Sequence, residues 1–325
     1  MNVHAAALAE AHLPDEQTTA FARDAIGDLS QHPKRLSPKY FYDATGSELF
    51  EAITRLPEYY PTRTELSILR DRGSDIAALI PDGAALIEFG AGATTKVRLL
   101  LENCAISAYV PVDISGDFLQ GQANALRRDF PGLAVYPVAA DFTAPFALPD
   151  LITLAGMPKV GFFPGSTLGN FEPHEACAFL RSAREILGEG AQMVIGIDLE
   201  KDERALYDAY NDKAGVTARF NLNVLHRINR ELGGNFDLSA FTHRAIYNRE
   251  RHRIEMHLIS RKAQTVRVLG RSFSFRAGES IHTENSYKYS LERFAALARA
   301  TGWAPRASWT DAASMFSVHA LVASD

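Results

Sequence analysis

An apolar segment that runs directly into a glycine turn is the feature that most restricts the fold of this chain. Residues 86–92 read Leu-Ile-Glu-Phe-Gly-Ala-Gly, and residues 94–96 (Thr-Thr-Lys) open a second apolar run at 97–101. A strand, a tight turn and a helix start are typical of the first strand–helix unit of a nucleotide-binding sheet. The glycines let the backbone approach a ligand closely, and Glu88 places an acid near the strand end. We therefore expect a ligand site beyond this strand.

Three later apolar segments also end in polar or glycine residues. They are Ala108–Val112 before Asp113, Ala134–Ala140 before Asp141 and Phe142, and Lys159–Pro164 before a Gly-Ser-Thr sequence. Asp113 is suited to accept hydrogen bonds from a ribose, about twenty residues after the glycine turn. Asp141 and Phe142 offer an acid for an adenine amino group and an aromatic ring for its face. Because parallel strands end at one edge of a sheet, these residues together predict a pocket for S-adenosylmethionine (SAM).

A dinucleotide site is the alternative interpretation of the glycine turn. The dinucleotide fingerprint requires a third glycine after Gly90 and Gly92, and Thr95 stands at that position. The sequence therefore favours SAM over NAD.

Composition limits the partners of the chain. A formal net charge of −5 argues against nucleic acid, because that partner usually needs a basic face. The two cysteines, Cys104 and Cys177, form no metal-binding spacing and indicate a reduced protein. Residues 1–13 lack the features of a signal peptide, and no apolar run approaches the roughly 18 residues that cross a membrane. We expect a cytoplasmic monomer that binds neither nucleic acid nor a membrane.

Strand and helix patterns alternate only in the middle of the chain. From residue 64 to 198 the alternation predicts a parallel sheet covered by helices. Later segments read as helices at 201–214 and 217–232, as strands at 241–248, 253–260, 264–268 and 271–276, then as a helix at 290–301 and a hairpin at 303–309 and 315–322. The sequence thus predicts a nucleotide-binding domain interrupted by an α+β insertion.

Two polar segments lie outside the alternating region. Residues 40–63 contain four tyrosines around a short amphipathic helix at 47–56. The segments 42–43 and 59–63 both fall in turn-like sequence, where tyrosine hydroxyl groups can face a ligand. In the segment 283–289, Glu284 and Ser286 lie two residues apart and share a face if the segment is extended. A carboxylate beside a hydroxyl suits an imidazole, which has two ring nitrogens to satisfy. The alternative is a solvated turn that precedes the next helix.

Several motifs together resemble one family. They are Tyr42-Asp43-x-x-Gly46-Ser47-x-Leu49-Phe50, the sequence RLPEYYPTR at 55–63, GSTLGN at 165–170, AGVT at 214–217 with Phe220-Asn221 and Asn223-Val224-Leu225, and Thr283-Glu284-x-Ser286. These motifs resemble the SAM-dependent L-histidine Nα-methyltransferases of ergothioneine biosynthesis, and the likeness spans roughly residues 35–322. The resemblance implies trimethylation of the histidine α-amine to hercynine, the first step of that pathway, with SAM as methyl donor and no metal.

The resemblance also implies a fold and domain boundaries. The fold is α/β, a Rossmann-like class I SAM methyltransferase domain with an inserted α+β substrate-binding domain. We expect residues 64–198 and 287–325 to form the methyltransferase domain. Residues 1–63 and 199–286 are then expected to form the substrate-binding domain.

The resemblance assigns expected roles to individual residues. The cofactor would be held by Tyr42, Gly90, Lys96, Asp113, Asp141 and Phe142. Histidine would be held at its carboxylate by Tyr59, Asn170 and Tyr210, near its amine by the Gly165 backbone and Asn170, and at its ring by Met256, Glu284 and Ser286. Tyr42 and Asn170 would be the catalytic residues. Since an unperturbed tyrosine has a pKa of about 10, Tyr42 is expected to orient the amine, not to deprotonate it.

Three alternatives remain open on the sequence. The first is an N-methyltransferase for another aromatic amino acid such as tryptophan, although Met256 and Glu284 favour histidine because an indole has one N–H donor and more bulk. The second is a non-catalytic SAM-binding module. The third is a metal site at His243, His252 and His257, which the sequence disfavours because no ligand spacing supports it.

Overall fold

Most of the chain is described by a computed structural model. It covers residues 16–324 except 115, 145, 149–153 and 155. The first 15 residues of the expected substrate-binding domain, including the segment 1–13 examined for a signal peptide, therefore lie outside the described residues. No described helix combines the length and apolarity needed to span a bilayer.

An eight-stranded sheet forms the larger of the two main layers. Its strands are β2 (Ala84–Phe89), β3 (Ile106–Asp113), β4 (Ala134–Val135), β5 (Val138–Ala139), β6 (Lys159–Phe163), β7 (Gln192–Asp198), β13 (Trp303–Thr310) and β14 (Phe316–Ala323). The order is β13-β14-β7-β6-β2-β3-β4, with β5 also beside β3. The strands from β4 to β7 along this order are parallel, and only the C-terminal hairpin is antiparallel. This confirms the predicted α/β fold with a central parallel sheet.

Helices cover this sheet, as parallel strands require. They are α3 (Tyr60–Asp71), α4 (Gly73–Ala77), α5 (Thr95–Leu101), α6 (Gly116–Asp129), α7 (Pro173–Leu187) and α10 (Leu291–Ala300). Strand β2 is buried along its whole length because helices lie on both faces. Helix α7 begins at a capping box in which the Glu172 and Glu175 side chains satisfy each other's backbone N–H groups.

A second, four-stranded sheet is built from distant parts of the chain. Its strands are β1 (Lys34–Arg35), β8 (Phe241–Asn248), β9 (Arg253–Ser260) and β12 (Ser280–Tyr287), in the order β1-β12-β9-β8. Strands β10 (Gln264–Val268) and β11 (Arg271–Phe275) form a separate hairpin. Helices α1 (Glu16–Leu29), α2 (Ala44–Thr54), α8 (Glu203–Tyr210) and α9 (Val216–Leu232) pack against this part in one apolar core.

Three of the differences from the sequence predictions have a clear local cause. The predicted strand at 134–140 is two short strands, because Pro137 lies between them and has no N–H for a strand ladder. The helix predicted at 201–214 is limited to α8, which begins after the Asp202 cap. Tyr60 and Pro61 are not in a turn but in the first turn of α3, where proline is tolerated because its missing N–H has no helical partner anyway.

Candidate active site

A cavity lies where the carboxyl end of the large sheet meets the four-stranded sheet. Its lining residues are Tyr42, Phe50, Ile53, Tyr59, Pro61, Gly165, Ser166, Asn170, Asp198, Ala209, Tyr210, Thr217, Phe220, Met256, Glu284 and Ser286. The lining includes every residue that the sequence assigned to histidine, together with Tyr42. Residues that are up to 244 positions apart along the chain are therefore brought to one cavity, since Tyr42 and Ser286 both line it.

Tyr42 is positioned by the residues that follow it. Asp43 caps helix α2 by accepting a hydrogen bond from the Gly46 backbone at 2.7 Å, and it also accepts one from Asn223 Nδ2 at 2.7 Å. A Cβ at Gly46 would lie 1.7 Å from the Phe41 carbonyl oxygen, so no other residue fits there without moving the backbone. The Tyr42-Asp-x-x-Gly motif thus fixes the N-terminal segment against helix α9.

Four of the expected cofactor residues, Gly90, Asp113, Asp141 and Phe142, lie at or just beyond the ends of β2, β3 and β5. Gly90 follows β2 with φ +71°, a conformation that favours glycine, and Asp113 is the last residue of β3. Asp141 lies beyond β5 and accepts a hydrogen bond from the Thr143 backbone at 2.9 Å. The Phe142 ring packs against Phe163, with 5.8 Å between centroids. Because that ring lies in an apolar cluster, its backbone is the group better suited to contact an adenine.

Lys96 and Gly165 are both engaged by a buried acid that the sequence did not reveal. The Lys96 ammonium pairs with the Glu65 carboxylate at 2.7 Å, and the Gly165 N–H donates to the same carboxylate at 2.9 Å. Glu65 lies on an otherwise ordinary amphipathic helix, so only the fold shows that it is 1% exposed. Since the Gly165 N–H is already bound, its carbonyl oxygen is the backbone group that remains for a substrate amine.

A buried polar network forms one wall of the cavity. Tyr210 Oη and Ser286 Oγ lie 2.7 Å apart, and Lys288 Nζ donates to Ser286 Oγ at 2.6 Å and to Tyr210 Oη at 3.2 Å. Lys288 also pairs with Asp198 at 2.7 Å. Asp198 in turn accepts from Tyr60 Oη at 2.8 Å and pairs with Lys201. The sequence did not identify Asp198 or Lys288, because neither belongs to a motif with a recognisable ligand spacing.

Ser166 connects this network to the large sheet. Its backbone adopts φ +55°, which costs a non-glycine residue about 1–3 kcal/mol. The Asp198 N–H donates to Ser166 Oγ at 2.9 Å, and this bond holds the turn after β6 against the end of β7.

Burial alters the acid–base properties of the cavity. Burial raises the pKa of Glu284 to about 8, although the nearby Lys288 charge acts in the opposite direction. Burial also acts to raise the pKa of Asp198, but Lys288 and Lys201 outweigh it and hold that pKa below its usual value. Burial and neighbouring acids raise the pKa of Tyr42 well above its usual value, so this phenol stays protonated near neutral pH. The cavity therefore contains one carboxyl group that titrates near neutrality and one that remains ionised.

We expect Glu284→Gln to remove a pH dependence from the stability of the free protein. The pKa of Glu284 rises from 4.5 to about 8 on folding, so the folded state binds this proton more tightly than the unfolded state. The corresponding stability is complete below pH 4.5 and is lost as the pH rises through about 8. The free energy of unfolding of the wild type relative to that of the variant should fall by at most about 5 kcal/mol as the pH rises across this range. Urea unfolding of both proteins at pH 5, 7 and 9 measures this change. The same pH dependence of the free energy of unfolding in the two proteins would contradict the prediction.

The histidines considered for a metal site do not form one cluster. Both ring nitrogens of His243 are hydrogen-bonded, to Asn221 and to the Tyr210 carbonyl at 2.8 Å each. Among the described residues, the only group close enough to share a metal ion is Glu255, His257 and His282. The Glu255 carboxylate in that group is already paired with the Arg253 guanidinium at 2.7 Å. His243, His252 and His257, the trio that the sequence already disfavoured as a ligand set, do not come together as one among the described residues.

The chain is similar to characterised proteins over almost its full length. A family model for SAM-dependent, histidine-specific methyltransferases matches residues 21–323. The histidine N-alpha-methyltransferase of Mycolicibacterium smegmatis is 41% identical over 319 residues, which cover 95% of this chain and 96% of that protein. The histidine N-alpha-methyltransferase of Mycobacterium tuberculosis is 40% identical over 309 residues, or 92% of this chain and 94% of that one.

A more distant relative is a longer protein. Ergothioneine biosynthesis protein 1 of Neurospora crassa is 31% identical over 290 residues, which cover 86% of this chain and 32% of that protein. The family match confirms the resemblance that the motifs indicated, and the site geometry agrees with it. This chain belongs to the SAM-dependent histidine-specific methyltransferases.

Proposed function

We propose that this enzyme transfers three methyl groups from SAM to the α-amine of L-histidine and forms hercynine, the first step of ergothioneine biosynthesis. The observation that carries the proposal is that Glu284 and Ser286 line the same cavity as Tyr42, Gly165 and Asn170. An acid and a hydroxyl group for an imidazole are thereby joined to polar groups at the sheet edge where SAM is expected. The relatives named for histidine methylation and ergothioneine biosynthesis support the same substrate.

The imidazole is the part of the substrate that the cavity distinguishes best. A neutral imidazole has one N–H donor and one nitrogen acceptor. In the proposed arrangement Glu284 accepts from the N–H and Ser286 donates to the other nitrogen. Met256 is directly opposite Glu284 in the β9–β12 pairing and lies beside the ring. Tyr59, Asn170 and Tyr210 bind the carboxylate, which leaves the amine towards the Gly165 carbonyl and Tyr42.

The SAM edge offers groups that fit the nucleoside part of the donor. Asp113 accepts from the ribose hydroxyl groups, while Asp141 and the Phe142 backbone contact the adenine. Gly90 brings the backbone close, and Lys96 orders the Gly165 turn through Glu65. SAM supplies an activated methyl group, so the protein mainly has to hold an uncharged amine in line with it at about 3–3.5 Å. A nearby polar group or water takes the amine proton before each transfer, because the amine is largely protonated near pH 7.

Tyr42 orients the amine in this scheme. Because its pKa is raised well above the usual value, its hydroxyl group is not a base near neutral pH. Its oxygen can accept a hydrogen bond from the amine and turn the nitrogen lone pair towards the donor. The aromatic faces of Tyr42, Tyr59 and Phe220 line the same cavity and favour the developing quaternary ammonium by cation–π attraction. Asn170 adds a side-chain amide near the same amine.

The two sheets suggest that one part of the chain binds SAM and the other binds the amino acid. We propose that residues 64–198 and 287–325 bind SAM and that residues 1–63 and 199–286 bind the amino acid. In support, the cavity is lined from both parts, and the N-terminal segment contributes Tyr42 and Tyr59 to it. We further propose a monomer that acts in the cytoplasm without a metal and without nucleic-acid or membrane partners. Both cysteines are free thiols, as a reducing compartment predicts.

Mass spectrometry of free amino acids incubated with SAM and the purified protein tests the proposal. L-histidine should gain up to about 42 Da, with three methyl groups in place of hydrogens on the α-nitrogen and none on the ring. Fragmentation locates the methyl groups. Tryptophan incubated in parallel is the matched control, and preferential turnover of tryptophan or methylation of the imidazole would refute the assignment.

A further inference from the structure

Lys288 is the most deeply buried charge beside the cavity, and no motif predicted a role for it. Its side chain is 0% exposed. Its ammonium group has three N–H donors, and three partners lie within reach: Ser286 Oγ at 2.6 Å, Tyr210 Oη at 3.2 Å and Asp198 at 2.7 Å. A buried ammonium with all its donors in use is held in one orientation, because leaving any donor unpaired is costly.

The hydroxyl groups of Tyr210 and Ser286 are both proposed to donate a hydrogen bond to histidine. They cannot both do so while one of them donates to the other. Each hydroxyl group carries one proton, and the 2.7 Å contact between Tyr210 and Ser286 uses one of the two. A single proton then remains for a ligand. Histidine needs two, because its carboxylate accepts from Tyr210 and its unprotonated ring nitrogen accepts from Ser286.

We infer that Lys288 is a positioning residue that lets Tyr210 and Ser286 donate to histidine at the same time. This inference rests on the proposed binding of histidine in this cavity. Lys288 donates to both oxygens, so each keeps an accepted hydrogen bond when the two hydroxyl protons turn away from each other towards the ligand. The side chain is fully enclosed, so bulk water does not compete for these donors. Asp198, which also pairs with Lys201, holds Lys288 in place.

The direct test is Lys288→Met, which keeps the length of the side chain and removes its donors. The variant should raise the KM for histidine about tenfold or more, because two ligand hydrogen bonds are weakened, while the KM for SAM stays within about twofold. Lys262→Met is the matched control: it makes the same substitution at a half-exposed lysine that pairs with Asp237 on the surface. It should change the histidine KM less than about threefold. Equal losses of histidine and SAM binding in Lys288→Met would overturn the inference.

A second experiment leaves Lys288 in place and remains informative if Lys288→Met does not fold. Tyr210→Phe, Ser286→Ala and the double variant are compared for histidine affinity by calorimetry. If both hydroxyl groups donate to the ligand independently, the fold-losses of the single variants multiply in the double variant. If the two hydroxyl groups share one free proton, the double variant loses no more histidine affinity than the single variant with the larger loss. That result would show that the inference is wrong.

The wild-type enzyme separates this inference from the proposed function. Absence of histidine methylation by the wild type would refute the function itself. Histidine methylation by the wild type, together with an unchanged histidine KM in Lys288→Met, would refute only the role of Lys288.

Discussion

Glu284→Ala is expected to reduce kcat/KM for histidine by about ten- to a hundredfold, because the buried imidazole N–H is left without its acceptor. Glu284 is 9% exposed and lies opposite Met256 on the neighbouring strand, so its removal leaves a larger and less polar space beside the substrate ring. Bulkier aromatic amino acids should lose less activity or gain some, because they never used the carboxylate and now have room. SAM affinity should barely change.

Competition between histidine and tryptophan under single-turnover conditions measures this change in preference. Glu284→Gln is the matched control, because an amide of almost the same size keeps one acceptor oxygen and should retain more histidine activity than the alanine variant. Wild-type turnover of histidine by Glu284→Ala, or equal losses of SAM and histidine affinity, would show that Glu284 does not select the substrate.

Asp113→Ala is expected to weaken SAM binding by at least about tenfold, because a charge-assisted hydrogen bond is worth about 1.5–3 kcal/mol. Asp113 ends β3, the strand beside the glycine turn, and its carbonyl oxygen accepts the Ala140 N–H at 3.0 Å. That backbone bond does not depend on the side chain, so the sheet should keep its register in the variant. Calorimetry with SAM measures the loss, and thermal unfolding without SAM checks the fold.

Two further variants define the specificity of this effect. Asp113→Asn keeps an acceptor oxygen without the charge and should fall between the wild type and the alanine variant. Asp129→Ala removes a half-exposed carboxylate that pairs with Arg98 on the surface, and it should bind SAM as the wild type does. Unchanged SAM affinity in Asp113→Ala would remove that residue from the cofactor site.

The local pattern of the sequence was sufficient for the regular elements. The sequence predicted β8, β9 and β10 with the observed bounds, because short runs rich in β-branched, aromatic and other apolar residues favour strands. The glycine turn after β2 predicted the edge at which Gly90 and Asp113 lie, since parallel strands end together. Boundaries failed where a single residue overrides the pattern, as Pro137 does between β4 and β5.

The motifs of the sequence indicated the family and named the residues expected to bind histidine, and these residues all line one cavity. Only the tertiary structure showed Glu65 beneath Gly165 and the Lys288–Asp198 pair behind Ser286. These partners are 100 positions apart in the first case and 90 in the second. Neither burial nor an ion pair across such a separation leaves a periodic signal, because a charged residue has the same local sequence whether it faces water or a closed core. The contacts that set the charge and the proton supply of the cavity were therefore decided by the fold alone.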